Sequence, residues 1–204
     1  MTTPPLILLV NPHFYPLDAG WLTPNYPLGV MSIASYLNAA TPYRAVLVDA
    51  VADPAYEQKL REYAPRAAVI GFSVMTQTLP NAMIMAEMLR TLAPGVPQVW
   101  GGIHPTLYPR ETARHPLVDV VVRDEGEFSL KEIADAVSAD PSGWRSRLPG
   151  IPGLVFRDRE GQLQETGKRD LLDPESLPPT DYRAMDQEML RRHNDFRINT
   201  SRGC

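Results

Sequence analysis

The strongest constraint on the fold is a pattern that occurs twice: a short apolar β run that passes directly into small or hydroxyl residues and then into a helical stretch. Val69-Ile70-Gly71-Phe72-Ser73-Val74-Met75-Thr76-Gln77-Thr78 is the first instance, and Val99-Trp100-Gly101-Gly102-Ile103-His104-Pro105-Thr106 is the second. Their separation is about one βα unit, roughly 30 residues. A chain built this way folds as a parallel sheet with helical crossovers, and its two small-residue strand ends form a candidate binding floor. In open parallel sheets, ligands sit outside the carboxyl ends of the strands.

The rest of the N-terminal region repeats the plan. Pro5 to Val10 is a continuous apolar run of the kind buried on both faces. It ends at Asn11-Pro12-His13-Phe14-Tyr15-Pro16, and a long loop containing Gly20 follows to about Pro27. Loops of that length are usually functional. From Pro27, a stripe of Val30, Ile33, Ala34 and Leu37 has the i, i+3, i+4, i+7 spacing of a sheet-packing helix. Ala45 to Val48 is a second strand closed by Asp49, and Asp53-Pro54 is expected to cap a helix running to about Tyr63. A helix is expected over Leu79 to Leu92, its Met83, Met85 and Met88 serving as core filler. Gln98 to Trp100 is the fourth strand, a helical turn falls near Glu111 to Arg114, and Val118 to Val122 is the fifth. Phe128, Leu130, Ile133, Ala134 and Val137 mark a closing helix. Right-handed crossovers then require helices on both faces of a doubly wound, Rossmann or flavodoxin-like α/β fold. Its expected order is 2-1-3-4-5 for a five-stranded parallel sheet.

This reading divides the chain into a domain over 1–140, a hairpin and Pro-rich linker over 141–195, and the start of another domain at 196–204. Leu154-Val155-Phe156 and Gln162-Leu163-Gln164 alternate as a hairpin with Gly161 in its turn. Asp173-Pro174 and Leu177-Pro178-Pro179 stiffen the linker. A helix is expected between Tyr182 and Arg192, and a fresh strand at Phe196 to Thr200.

Composition narrows the partners. The 20 basic and 24 acidic residues give a net charge of −4, with no block of Lys or Arg to follow a phosphate backbone, so no nucleic-acid partner is expected. The apolar run Leu6 to Val10 is too short for a signal core or a membrane span. A cytoplasmic protein with no membrane partner is expected. The single cysteine, Cys204, excludes an internal disulfide. Neither Gly-x-Gly-x-x-Gly nor Gly-x-x-x-x-Gly-Lys-Ser/Thr occurs in the first βα loop, which argues against a dinucleotide or P-loop site. The small residues instead follow strands three and four, where they would let a ligand approach the backbone.

Those two segments, with Met75 in place of a leucine, resemble the Ser-x-Leu and Gly-Gly segments of cobalamin-binding domains. Pro27-Leu28-Gly29 and Glu125-Gly126-Glu127 further resemble the version at the N-terminus of cobalamin-dependent radical S-adenosylmethionine (SAM) enzymes. The similarity covers roughly residues 5 to 140. The ending Asn199-Thr200-Ser201-Arg202-Gly203-Cys204 is similar to the start of that family's Cys-x-x-x-Cys-x-x-Cys motif. The resemblance therefore implies a portion of a longer enzyme, with Cys204 as the first ligand of a 4Fe-4S cluster. Such a cluster needs several thiolates and is not expected to assemble on this chain as given.

The same resemblance implies that cobalamin's nucleotide tail enters a groove lined by Ser73, Gly101 and Gly102, the glycines making room for it. The corrin would touch Asn11, His13, Met75, Thr76, Gln77, His104, Thr106, Glu125 and Gly126. Many cobalamin domains carry Asp-x-His-x-x-Gly after the first strand, whose His ligates cobalt. Here the corresponding run is Asn11-Pro12-His13-Phe14-Tyr15-Pro16, which keeps the His but not its orienting Asp. A surface or loop-packing role for His13 is favoured over ligation. Asp49, Arg123, Asp124 and Glu127, as charges at loop ends, are expected to be solvated or capping, Glu127 lying near a helix start where it fits the dipole.

The function implied is the cobalamin-binding part of a radical SAM enzyme, a methyltransferase acting on carbon or a related radical rearrangement enzyme. Its SAM site and its small-molecule or peptide substrate would belong to a barrel outside this chain. Two alternatives come from other classes: a non-catalytic carrier of cobalamin or another small ligand, and a nucleotide-sugar or phosphate-binding α/β enzyme using Glu125 and the Gly-Gly loop.

Overall fold

The computed structural model describes residues 3–14 and 26–184. The loop between Tyr15 and Asn25, the helix expected beyond Ala184, the strand Phe196 to Thr200 and Cys204 lie outside the described residues. Among the described residues no helix is long and apolar enough to cross a membrane.

Four strands form by the expected rule, apolar runs covered on both faces: β1 (Leu6–Asn11), β2 (Arg44–Asp49), β3 (Ala67–Ser73) and β4 (Gln98–Gly101). A shorter β5 (Val120–Val122) completes the parallel part. The order is β2-β1-β3-β4-β5, the flavodoxin-like order expected. Helix α1 (Leu28–Ala40) and α6 (Glu127–Ala139) cover one face, while α2 (Tyr56–Tyr63) and α3 (Leu79–Leu92) cover the other. Because strand side chains alternate, Ile7, Leu9, Val69 and Val99 join the first core and Leu8, Val10, Ile70 and Trp100 the second. Met85 is buried in the second core, with Met83 and Met88 packed against it, as their filler role predicts.

The hairpin does not stand apart from the sheet. Strands β6 (Leu154–Arg157) and β7 (Leu163–Glu165) extend it antiparallel beyond β5, giving seven strands. Gly161 takes φ +80° in the connecting turn, as expected of the residue that must enter the left-handed region. Arg123, at the end of β5, fixes the junction. Its guanidinium donates to Glu165 at 2.5 Å and to the Thr166 carbonyl at 2.7 Å.

Two local expectations change, at Asp53 and Arg123. Asp53 does not cap α2; it accepts from the Ala55 amide at 2.8 Å and pairs with Lys59, so it shapes the turn before a helix that starts at Tyr56. The segment after Gly102 is helical as the repeated pattern expects, a short α4 (Ile103–Leu107), and α5 (Pro109–Arg114) follows where a helical turn is expected. Arg123 is not a solvated charge but the latch just described.

Candidate cofactor groove

A groove of about 600 Å³ opens at the carboxyl ends of β3, β4 and β5, between the sheet and helices α1 and α6. Its floor follows from strand register. Leu9 pairs with Gly71 and Gly71 with Val99, so the three stand in one row across the sheet and face α1 and α6. A side chain at Gly71 would meet Leu9 Cδ2 at 3.0 Å and Leu130 Cδ2 at 3.5 Å, so its absence keeps the row open. Two residues further along, Ser73 and Gly101 form the next row on that face. Gly29, Val30 and Ile33 of α1, with Gly126, Glu127 and Leu130 of α6, make the walls.

The expected site residues separate into three groups. Ser73, Gly101, Gly102, Glu125 and Gly126 line the groove. Gly102 is required for a reason other than space. Its φ is +96°, and a Cβ there would fall 2.8 Å from both the nitrogen and the oxygen of Val74, so the glycine serves the backbone crossing rather than the ligand volume.

A second group ties neighbouring loops together along the same edge. Thr76 Oγ1 lies 3.1 Å from His104 Nδ1, joining the β3 loop to the β4 loop. The His104 amide donates to the Val74 carbonyl at 3.0 Å, and its ring leans on Tyr108. Burial holds this imidazole below its ordinary range, which favours the neutral form. Thr106 Oγ1 accepts from the Asp124 amide at 3.0 Å, joining the β4 loop to the β5 loop. Asp124 takes φ +58°, a strained setting for a non-glycine residue. Met75 receives the Thr78 hydroxyl at the start of the next turn, and Gln77 is exposed.

The third group lies away from the groove. Asn11 donates its side-chain amide to Asp49. His13 is 8% exposed, with Nε2 3.4 Å from the Tyr56 hydroxyl and its ring edge-on to Tyr56. Among the described residues His13 is buried rather than on the surface, packed against Tyr56, and its Nδ1 has no hydrogen-bond partner. Asp49, expected to be solvated, is fully buried, and burial pushes its carboxyl up to about 6.

Leu9, Val30, Ile33, Val99, Val122 and Leu130 line the groove although nothing in the sequence separates them from ordinary core residues. Gly29 is the exception, since it stood in a recognisable Pro-Leu-Gly run. A Cβ at Gly29 would meet nothing within 4 Å.

A doubly wound sheet with an apolar, glycine-floored groove at its strand ends defines an α/β ligand-binding domain, and its volume is that of a small-molecule site. The B12 binding domain family matches residues 22–134, more than half of the chain, and the chain belongs to that family. It is a cobalamin-binding domain. An uncharacterized methyltransferase of Pyrococcus horikoshii is 31% identical over 140 residues, which cover 67% of this chain and 29% of that protein. The anaerobic magnesium-protoporphyrin IX monomethyl ester cyclase of Rubrivivax gelatinosus is 24% identical over 163 residues, or 78% of this chain and 29% of that enzyme. Among solved structures, the cobalamin-dependent SAM radical enzyme OxsB with aqua-cobalamin and SAM bound superposes with a TM-score of 0.71 at 18% identity, over 87% of this chain and 24% of that one. The radical SAM methyltransferase TsrM from Kitasatospora setae, with cobalamin and a [4Fe-4S] cluster bound, gives 0.62 at 20% identity, over 81% and 31%. These structural likenesses establish the fold. The chain spans less than a third of the length of these relatives.

The residues present fit the cofactor. The apolar floor suits a flat heteroaromatic base, while Ser73 and the backbone of Gly101 and Gly102 offer polar groups at the mouth.

Proposed function

We propose that the groove holds the nucleotide tail of cobalamin and that the chain is the cofactor-binding part of a radical SAM enzyme. The observation that carries this reading is the open row Leu9, Gly71 and Val99 beneath Ser73 and Gly101. Ser73 would bond the tail at the mouth, and Gly29, Ile33 and Gly126 would enclose it. The corrin would rest on the edge knitted by Thr76, His104 and Thr106. When bound, cobalamin supplies methyl-transfer or radical chemistry, and the protein's contribution is to position it and keep water from the tail.

The parent activity proposed is methyl transfer to carbon or a related radical rearrangement, in the cytoplasm. SAM, the 4Fe-4S cluster begun by Cys204 and a small-molecule or peptide substrate would be held by a following barrel. The domain limits 1–140, 141–195 and 196–204 belong to the same proposal, with the qualification that the hairpin of the middle segment continues the sheet. The nucleotide-sugar alternative is weaker on physical grounds. Among the described residues Asp124, Glu125 and Glu127 line the groove and no Lys or Arg does, a poorer setting for the two phosphate charges of a nucleotide sugar than for the single one of a cobalamin tail. The test is equilibrium dialysis of the folded chain against hydroxocobalamin. Retention is expected, and a folded protein that retains none would sink the reading.

A further inference from the structure

Beyond β7 the chain runs back across the molecule as an extended strap over residues 166–184, and its anchors follow the groove's own walls. Arg169 pairs with Glu132 and donates Nε to Ser129 Oγ at 3.0 Å, fastening the strap to α6. The Asp181 amide donates to Ser35 Oγ at 2.7 Å, and Tyr182 packs edge-on against Tyr26, fastening it to α1. Between these anchors the Leu172 amide donates to Glu125 Oε2 at 2.7 Å, with the Leu172 side chain buried. Leu171 beside it is 68% exposed.

The Glu125 anchor differs from the others because Glu125 itself lines the groove. Glu125 therefore stands where the groove it lines meets the backbone of the strap that its carboxylate holds. A ligand seated against Glu125 removes rotamer freedom from the carboxylate and excludes water from its bond to Leu172. Both effects strengthen that bond, because a hydrogen bond to a charged acceptor gains as the local dielectric falls. By linkage the relation is reciprocal: whatever occupancy adds to the strap, a fastened strap adds to occupancy.

We propose that Glu125 is a positioning residue that couples occupancy of the groove to the fastening of the 166–184 strap through the Leu172 amide. This rests on the cofactor reading above. It assigns Glu125 a role distinct from simple contact with the ligand, and it makes the strap the route by which a filled groove is felt by the chain that follows. The edge ties reinforce the coupling, since Asp124, next to Glu125, is held by Thr106 and so limits how far the loop can yield.

The test is amide hydrogen exchange across residues 168–176 of the whole chain, with and without hydroxocobalamin, in wild type, Glu125→Ala and Glu125→Gln, with retention measured in parallel by dialysis. In wild type the ligand should slow exchange at Leu172 by about tenfold, within the usual span of coupling between sites. Glu125→Ala should speed that exchange without ligand, abolish the ligand-dependent slowing, and weaken retention by about the same factor. Glu125→Gln keeps an acceptor oxygen and should restore part of both effects, a rescue that a purely space-filling role would not give. Wild-type protein that retains cobalamin with unchanged exchange at Leu172 would overturn the coupling alone, and this comparison needs no variant. An alanine variant that still shows full ligand-dependent slowing would overturn it equally. Wild-type protein that retains no cobalamin would overturn the cofactor reading and this inference with it.

Discussion

Asn11 and Asp49 are register partners at the carboxyl ends of β1 and β2, and the Asn11 side-chain amide donates to Asp49 Oδ1 at 2.7 Å. The same oxygen accepts from the Val51 amide at 3.1 Å. Asp49 Oδ2 is buried and has no hydrogen-bond partner among the described residues. A carboxylate in that position is short of solvation, and desolvation raises its pKa from 3.8 to about 6 against the lowering effect of those two donors, with the charge of Asp53 adding to the rise.

The sign of the resulting pH dependence follows. A carboxyl that holds its proton more tightly when folded contributes nothing below the unfolded pKa, and it destabilises the fold progressively as pH rises from about 4 through about 6. By pH 7 the cost is on the order of 2 to 3 kcal/mol. Asp49→Asn should therefore flatten the loss of stability between pH 4 and pH 6 and raise stability at pH 7. Urea denaturation of both proteins at pH 4.5 and 7 measures this. Parallel pH slopes would show that the Asp49 carboxyl has the same pKa folded and unfolded and would overturn the desolvation argument, whereas a slope that continues unbroken to pH 7 would place its folded pKa higher still.

The groove can be filled without harming the sheet at Gly29. This residue lies in the first turn of α1, its Cβ position is open, and replacing a helical glycine gains about 0.5 to 1 kcal/mol. Gly29→Phe should leave thermal stability equal or higher while weakening hydroxocobalamin retention by about tenfold or more, equivalent to about 1.4 kcal/mol. Unchanged retention in this variant would remove the α1 wall from the site.

Gly102 predicts the opposite pattern. With φ +96° and Val74 backbone atoms 2.8 Å from any Cβ, Gly102→Ala should cost about 1 to 3 kcal/mol of stability before any ligand is added. Chemical denaturation without cobalamin is the measurement. A stable alanine variant that simply binds less cofactor would return Gly102 to the role of making room.

The contrast between these glycines shows which features the sequence made legible. The strand runs and the bounds of α3 follow from local periodicity, so Leu79 to Leu92 is read correctly from its own residues, whereas the order of the parallel strands rests on the commonness of the flavodoxin-like topology. What joins distant segments is not local. That Leu9, Gly71 and Val99 form one row depends on the registers of three strands, and the pairing of β6 with β5 and the reach of Arg123 to Glu165 and Thr166 both join segments about 30 to 45 residues apart. Asp49 reads as solvated because acids at strand ends usually are. Its burial requires Asn11 across the sheet, which a single stretch of sequence does not display.

His13 supplies the last prediction. The residue is 8% exposed, its Nε2 faces Tyr56, its Nδ1 is buried with no hydrogen-bond partner among the described residues, and its carbonyl accepts from the Asn81 side chain at 3.1 Å, so the backbone is tied into the loop and the ring is packed there. The groove meanwhile lies on the other face of β3, where His13 is not among the lining residues. With the benzimidazole drawn into the groove and no imidazole delivered in its place, bound cobalamin should be base-off. Its Co(II) state should then give an electron paramagnetic resonance spectrum without nitrogen superhyperfine splitting, and His13→Ala should leave that spectrum unaltered. The same variant should lose roughly 1 to 2 kcal/mol of stability from the vacated space and the contact with Tyr56. Nitrogen splitting that vanishes in the alanine variant would show that the loop reorganises on binding to deliver His13 to cobalt, and that the Tyr56 contact is a resting position rather than the working one.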